Sequence, residues 1–386
     1  MFRDVTSGSG KFFIITLLIG LFFIFNLPSA EAHVLIIADG DSSNPEVLTE
    51  AKNTASALES KGYKVLKLYQ KNATTKKIMK GMYRADAVIY VGHGGYQSGH
   101  YNGNGGKATP PYALVGSNDF VWGVNTKIRE GFNGKTVTAP FKSKIPVILA
   151  HTCFSTGYVG NKQVSNPVET IYNFSQMFTG AGANYYATGY YGSYKGKNVV
   201  DIVDDFLNGA NSFTSANNKN SIKVSKSYTF NGKKIWRSTS GYAAFVGDWN
   251  GTFPKASQTT AYSDSAAEAW YQAVVLGKDK TAPTVKSTNP KKGATGVPLT
   301  TSITITFSEN IWSSTNFSGI YIKNLNTGKK VGLTKSISGK TLTLKMTANR
   351  IRNNLYQVYI PASAVRDIAS NKLKASYTLQ FRTRVT

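Results

Sequence analysis

The spacing of apolar positions divides the chain into three stretches. Phe12–Phe25 is an apolar run of 14 residues. From His33 to about Asn211, short β-branched runs alternate with segments of helical spacing, and beyond Pro283 apolar and polar residues alternate singly. In the middle stretch, His33–Ala38 reads as a strand buried on both faces. Pro45–Lys61 carries Val47, Leu48, Ala51, Ala55 and Leu58 at helical spacing and is closed by Gly62. Tyr63–Tyr69 predicts a strand, Thr74–Tyr83 a short basic helix, and Ala87–Val91 a third strand. A Gly-rich stretch of roughly 50 residues follows, too long for a plain connection. It predicts a functional or partly structured insertion with a short helix near Lys127. Ile145–Ala150 predicts a fourth strand, Pro167–Phe178 a helix, Tyr185–Thr188 a strand and Asn198–Leu207 a helix.

This alternation implies an α/β fold with a mostly parallel sheet and helices on both faces. Lys223–Phe253 is more β-like, with Asn231-Gly232 as a hairpin turn. Ser265-Ala-Ala-Glu268 reads as a capping box opening a helix over Trp270–Leu276. After Gly277 the composition shifts to alternating Thr, Ser and Ile with frequent turn residues, the pattern of an all-β sandwich. The expected organisation is a signal segment at 1–32, an α/β domain at 33–277, a linker at 278–282 and a β-sandwich at 283–386. The α/β domain has its core at 33–211 and a β-rich extension at 223–254.

The N-terminal run has the features of an export signal. Arg3 and Lys11 precede it, Ala30-Glu31-Ala32 offers a small-x-small cleavage site, and it falls short of the roughly 20 residues a bilayer span needs. The expectation is a secreted, extracellular or wall-associated protein with no stable membrane span. Formal charge is +25, and Thr281–Thr386 alone holds 16 Lys/Arg against Glu309 and Asp367, a net of +14. A basic exported module suits an anionic wall or surface polymer. Nucleic acid is not expected, because no recognition motif is present. Four sequons, at Asn72, Asn173, Asn250 and Asn316, are weak signals for surface glycosylation.

Cys153 is the single cysteine, so no intramolecular disulfide can use it, and on count alone it suits either a small buried hydrophobe or a thiol kept for its chemistry, which position must decide. It follows the strand Pro146-Val-Ile-Leu-Ala150, and His93 follows the strand Ala87–Val91 in the same way. Open α/β sheets bind ligands at the carboxyl ends of their strands. A thiol and an imidazole so delivered are the parts of a cysteine nucleophile and its acid/base partner. An alternative use of His93, His100, His151 and Cys153 is metal binding, although no recognised ligand spacing supports it. No cofactor or metal is expected. His151 reads as a satisfied histidine near the cleft, and His33 carries no role. Asp39-Gly-Asp41 ends the first strand and suits either a position facing the cleft or a simple turn, the turn being the favoured reading, and Asp201, Asp204 and Asp205 read as solvated helix charge. Tyr185, Tyr186, Tyr190, Tyr191 and Tyr194 suit either a groove lining or strand propensity. Asn211–Lys226 is a candidate nicking segment.

Val88-Ile-Tyr-Val-Gly-His-Gly-Gly95 together with Pro146-Val-Ile-Leu-Ala-His-Thr-Cys153 resembles the caspase-like superfamily of cysteine peptidases, which includes legumain, clostripain and gingipains. The likeness continues through Thr179–Gly189 and the following helix, covering roughly His33–Asn211. It implies Cys153 as nucleophile, His93 as proton donor to the leaving amine, and the backbone N–H groups of Gly94 and Cys153 as the oxyanion pocket. The implied activity is that of an endopeptidase or related amide hydrolase acting on a peptide or protein substrate. His151 and Thr152 depart from the small residues common before the cysteine, and the superfamily also includes inactive scaffolds. The alternative expectation is therefore an inactive caspase-like domain in a structural or wall-binding surface protein. The C-terminal stretch resembles bacterial Ig-like domains of surface-layer proteins through Ala282–Ile311, Leu355–Leu373 and the closing Tyr377–Thr383, with Ser370 in place of a usual Gly.

Overall fold

A computed structural model describes residues 33–39, 45–189 and 200–385. The proposed signal segment, Asp41, and Tyr190, Tyr191 and Tyr194 lie outside the described residues. The α/β region opens with β1 (Val34–Ala38), α1 (Pro45–Ser60), β2 (Val65–Tyr69), α2 (Thr75–Gly81) and β3 (Ala87–Val91). An antiparallel sheet follows: β4 (Gly94–Tyr96), β5 (Tyr112–Val115), β6 (Phe120–Val124), β7 (Lys127–Glu130) and β8 (Thr136–Val137). The chain continues through β9 (Pro146–Ala150), a small ribbon of β10 (Tyr158–Val159) and β11 (Lys162–Gln163), α3 (Pro167–Thr179) and β12 (Tyr185–Gly189). Then come α4 (Val200–Leu207), α5 (Phe213–Lys219), β13 (Val224–Phe230), β14 (Lys233–Ser238), β15 (Ala243–Gly247) and α6 (Asp264–Trp270), which runs into a π-turn at Tyr271–Val275.

The main sheet has eight strands in the order β13-β14-β15-β12-β9-β3-β1-β2. Strands β2, β1, β3, β9 and β12 are parallel neighbours, whereas β15, β14 and β13 add antiparallel. The sheet is thus parallel over five strands and mixed overall, because the predicted β-rich extension supplies the other three of its eight strands. Burial on both faces explains the β-branched runs. Along β1, Leu35 and Ile37 enter one core, while Val34, Ile36 and Ala38 enter the other. The first core is covered by α2, α3, α6 and the antiparallel sheet through Met79, Phe174, Trp270 and Leu114. Val47 and Leu58 of α1, Val203 of α4 and Phe213 of α5 close the second. Each such aliphatic side chain contributes about 1.5–3 kcal/mol on burial.

Three local expectations are corrected. Lys127 starts strand β7 rather than a helix, because Asn125 adopts φ +54° and turns β6 back on itself. The helix after Tyr262 is capped by Ser263, whose hydroxyl accepts the Ala266 N–H, and not by Ser265. Glu268 instead faces α2, where hydrogen bonds from Lys80 and Gln272 hold its carboxyl down to about 2. The proposed nicking segment contains α5, capped by Ser212 and buried through Phe213, whose ring stacks on Phe245 at 3.8 Å. The Asn231-Gly232 turn does form, with both residues at positive φ.

The C-terminal region is a β-sandwich. Its strands are β16 (Val285–Asn289), β17 (Ile303–Phe307), β18 (Trp312–Ser313), β19 (Tyr321–Asn324), β20 (Lys330–Val331), β21 (Leu333–Ser338), β22 (Thr341–Met346), β23 (Leu355–Ile360), β24 (Val365–Arg366) and β25 (Tyr377–Arg382). Sheets β16-β17-β22-β21 and β20-β19-β23-β25 enclose Ile303, Ile305, Phe307, Leu342, Val358 and Phe381. The single-residue alternation in the sequence is this inward–outward pleat. Asp367 accepts the Asn371 backbone N–H (2.7 Å) and side-chain amide (2.8 Å), and that amide lies 3.2 Å from the Thr281 carbonyl. The turn therefore holds the entering linker. Ser370, standing for glycine, takes φ +71° and carries the strain of a left-handed backbone.

Asp279, Glu309 and Asp367 bring their carboxylates together at this end of the sandwich. Burial, then the charges of Asp367 and Asp279, push the Glu309 carboxyl up from 4.5 to about 7. The folded domain therefore retains a proton that the unfolded chain has released, and its stability falls as pH rises from about 4.5 to about 7. The expected outcome is that Glu309→Gln raises the melting midpoint of the sandwich relative to wild type more at pH 7.5 than at pH 5. A gain that shrinks over that range would show the carboxyl to be stabilised in its charged form.

Candidate active site

The site stands where β1, β3 and β9 end side by side. Val91 of β3 is in register with Ala150 of β9 and with Ala38 of β1, and Gly92 N–H donates to the Ala150 carbonyl (3.0 Å). The chain then diverges, sending His93 from one strand and Cys153 from its hydrogen-bonded neighbour to the same sheet end. Behind them, a methyl group added at Gly94 would collide with the Cys153 carbonyl, so the two backbones are in direct contact. The Cys153 side is half-buried and the His93 ring is 42% exposed, which leaves both within reach of solvent.

Asp39 is the residue that sequence reasoning placed at the cleft only as its second choice. It follows β1 directly and is buried. Its Oδ2 accepts the His93 backbone N–H at 2.9 Å and lies 3.5 Å from His93 Nε2. A carboxylate immediately after a buried strand was the available signal, and a plain turn was favoured instead. Beneath His93, Tyr90 is wholly buried on β3. Its hydroxyl donates to the His93 carbonyl (2.7 Å) and accepts the Val115 N–H (3.0 Å). Burial, and then the charge of Asp39, hold its phenol well above the usual range, so it serves as a neutral tether.

The Val115 N–H also reaches the His93 carbonyl (3.3 Å). This makes Gly94 and Leu114 a non-hydrogen-bonded pair of the β4–β5 ladder, so the Gly94 N–H points away from β5. The turn carrying Cys153 is strained on both sides, with His151 at φ +59° and Phe154 at φ +69°. Several bonds offset that strain. Phe154 N–H donates to the Tyr158 carbonyl (2.7 Å), Ser155 Oγ lies 2.6 Å from Thr188 Oγ1, and Tyr186 OH donates to the Ser155 carbonyl (3.1 Å).

The remaining candidates disperse. His151 is buried and its Nε2 pairs with Glu50 of α1, as a satisfied histidine would. His100 Nδ1 donates to the Pro110 carbonyl (2.5 Å) in the antiparallel-sheet region. The proposed metal set of His93, His100, His151 and Cys153 is not assembled; among the described residues the grouped ligand types are Asp279, Glu309 and Asp367. His33 is buried against the Gly81 carbonyl (2.7 Å), and desolvation lowers it to about 4. Tyr185 and Tyr186 are core side chains, not groove lining. Asp201, Asp204 and Asp205 lie on α4. Among the described residues, no helix is long and apolar enough to cross a membrane.

Comparison with known proteins characterises the C-terminal region. Residues 279–383 match the bacterial Ig-like domain family, and this part of the chain is such a domain. No curated protein matches the chain. Among solved structures, the N-terminal part of the bacterial S-layer protein SbsC is 20% identical over 36% of this chain, with a TM-score of 0.22; the match spans 29% of that S-layer chain. CopC from Methylosinus trichosporium OB3b is 18% identical over 26% of this chain and 93% of its own, with a TM-score of 0.20. A structure described as a protease is 14% identical over 92% of this chain and 67% of its own, with a TM-score of 0.31.

The contact between Gly94 and Cys153 yields a direct expectation. Gly94→Ala forces the two strand ends apart, an overpacking cost of about 1–3 kcal/mol. Thermal melting should place the variant several degrees below wild type, and an unchanged midpoint would mean that the contact is slack.

Proposed function

We propose that the chain is a cysteine endopeptidase or related amide hydrolase, held at the cell surface by its basic Ig-like domain. The observation that supports this most is the meeting of His93 and Cys153 at the ends of neighbouring strands, with buried Asp39 under the imidazole. An ordinary thiol titrates near about 8.5 and needs a partner to act at neutral pH. In the proposed cycle the Cys153 sulfur attacks the substrate carbonyl, forming a C–S bond. The C–N bond breaks as His93 passes its proton to the leaving amine. Water then attacks the thioester, returning its proton to His93 and releasing the acid and the thiolate. With Nε2 turned to Asp39, Nδ1 is the ring nitrogen left for this transfer. Asp39, 3.5 Å from Nε2, orients the ring. The N–H groups of Gly94 and Cys153 are proposed to receive the developing oxyanion, a donor pair in which each is worth about 3–4 kcal/mol in a comparable hydrolase.

The wall-anchoring role rests on charge. Lys286, Lys291, Lys292, Lys329, Lys330 and Lys345 are exposed on the Ig-like domain. With a net of +14 from Thr281 to Thr386, this surface favours an anionic polymer.

Cys153→Ala and His93→Ala should each abolish peptide hydrolysis while leaving the melting curve cooperative. Asp39→Asn should lower kcat by about 10²-fold or more. Activity that survives Cys153→Ala would overturn the hydrolase reading and leave a structural surface protein. Retention on anionic wall material should weaken steeply as ionic strength rises and the screening length contracts from about 10 Å at 0.1 M to about 3 Å at 1 M. Salt-independent retention would contradict an electrostatic anchor.

A further inference from the structure

Next to Cys153 stands a shelf of aromatic rings that the proposed chemistry leaves unused. Tyr96 lies two residues beyond Gly94 on β4 and is 42% exposed, one of the few large apolar side chains of the α/β region so placed. Residues two apart on a strand share a face and stand about 7 Å apart. Gly94 presents that face to the Cys153 backbone, and Tyr96 extends it. The Tyr96 ring meets the edge of Phe154, the residue after Cys153, at 5.2 Å.

The shelf is rigid. Tyr101 packs edge-on to Tyr96 at 5.7 Å and to Phe154 at 5.5 Å, and its hydroxyl accepts the Gly105 N–H (2.9 Å). Phe154 is completely buried and leans on Tyr112 at 5.2 Å, which stacks on Phe174 at 5.8 Å. A continuous aromatic column therefore runs from the core to the surface and ends in the half-exposed ring of Tyr96. A ring fixed in this way loses little freedom when a second ring packs on it, and aromatic pairs add attraction beyond the area they bury.

Resting on the proposed hydrolase function, we infer that Tyr96, backed by Tyr101 and Phe154, selects substrates with an aromatic or large apolar residue within two positions of the scissile bond. The spacing requires this range, because an extended peptide advances about 3.3–3.6 Å per residue and a bond held at Cys153 brings such a neighbour over the ring.

The test uses the full chain and a panel of internally quenched peptides. Each peptide varies at the four positions around a central bond, with cleavage sites read by mass spectrometry. Sites with Phe, Tyr, Trp or Leu in that range should be cut with kcat/KM about tenfold above their Ala counterparts. Tyr96→Ala should level that preference, mainly by raising KM, and Tyr96→Phe should keep it. Cleavage concentrated at Arg, Lys or Asp, or a preference that persists in Tyr96→Ala, overturns the inference and leaves the hydrolase intact. No Cys153-dependent cleavage of any peptide overturns both.

Discussion

The register between β3 and β9 is the constraint on which the rest depends. Because Val91 is level with Ala150, the two strands stop together and their following residues leave the sheet at one height. A slip of one residue would invert the alternation that sends Val147 and Leu149 to one core and Ile148 and Ala150 to the other. The hydrophobic demand of two cores thus fixes where His93 and Cys153 stand, far more firmly than any contact between the two side chains.

Around that junction the structure sustains conformations that an isolated chain would avoid. His151 and Phe154 are held at positive φ, and Gly94 is the residue that lets β4 pass against Cys153. The compensation comes from the core. Tyr90 anchors the His93 carbonyl, while Tyr186 and Thr188 of β12 anchor the turn after Cys153. Two buried tyrosines, one on each flanking strand, therefore link the packing of the sheet to the geometry of its rim. Left-handed non-glycine backbone occurs elsewhere too, as at Arg84 and Lys144, but here two such residues flank a single cysteine and are held by rigid neighbours.

Much of this was legible in the sequence. Buried parallel strands announce themselves as β-branched runs, and His93 and Cys153 stood out as candidates because each lies within three residues of the end of one. The Ig-like alternation was equally plain. What stayed hidden depends on pairing across distance. The five-stranded insertion was concealed because glycines interrupt its short alternating runs, as in Phe120–Val124, and because its turns rest on single residues such as Asn125. Asp39 became meaningful only when β1 paired with β3 and carried its carboxylate under His93. The aromatic shelf joins Tyr96 and Tyr101 to Phe154 from a distant segment, and no local pattern foretells that meeting.

The proposed hydrolase chemistry requires the sulfur of Cys153 to be an accessible nucleophile at an open strand end, served by His93. Alkylation of the native protein with iodoacetamide at neutral pH, followed by peptide mapping, tests it most directly. Rapid, stoichiometric modification of Cys153 in the folded state is expected, with a clear slowing in His93→Ala. Modification that requires unfolding, or that is indifferent to His93, would contradict it.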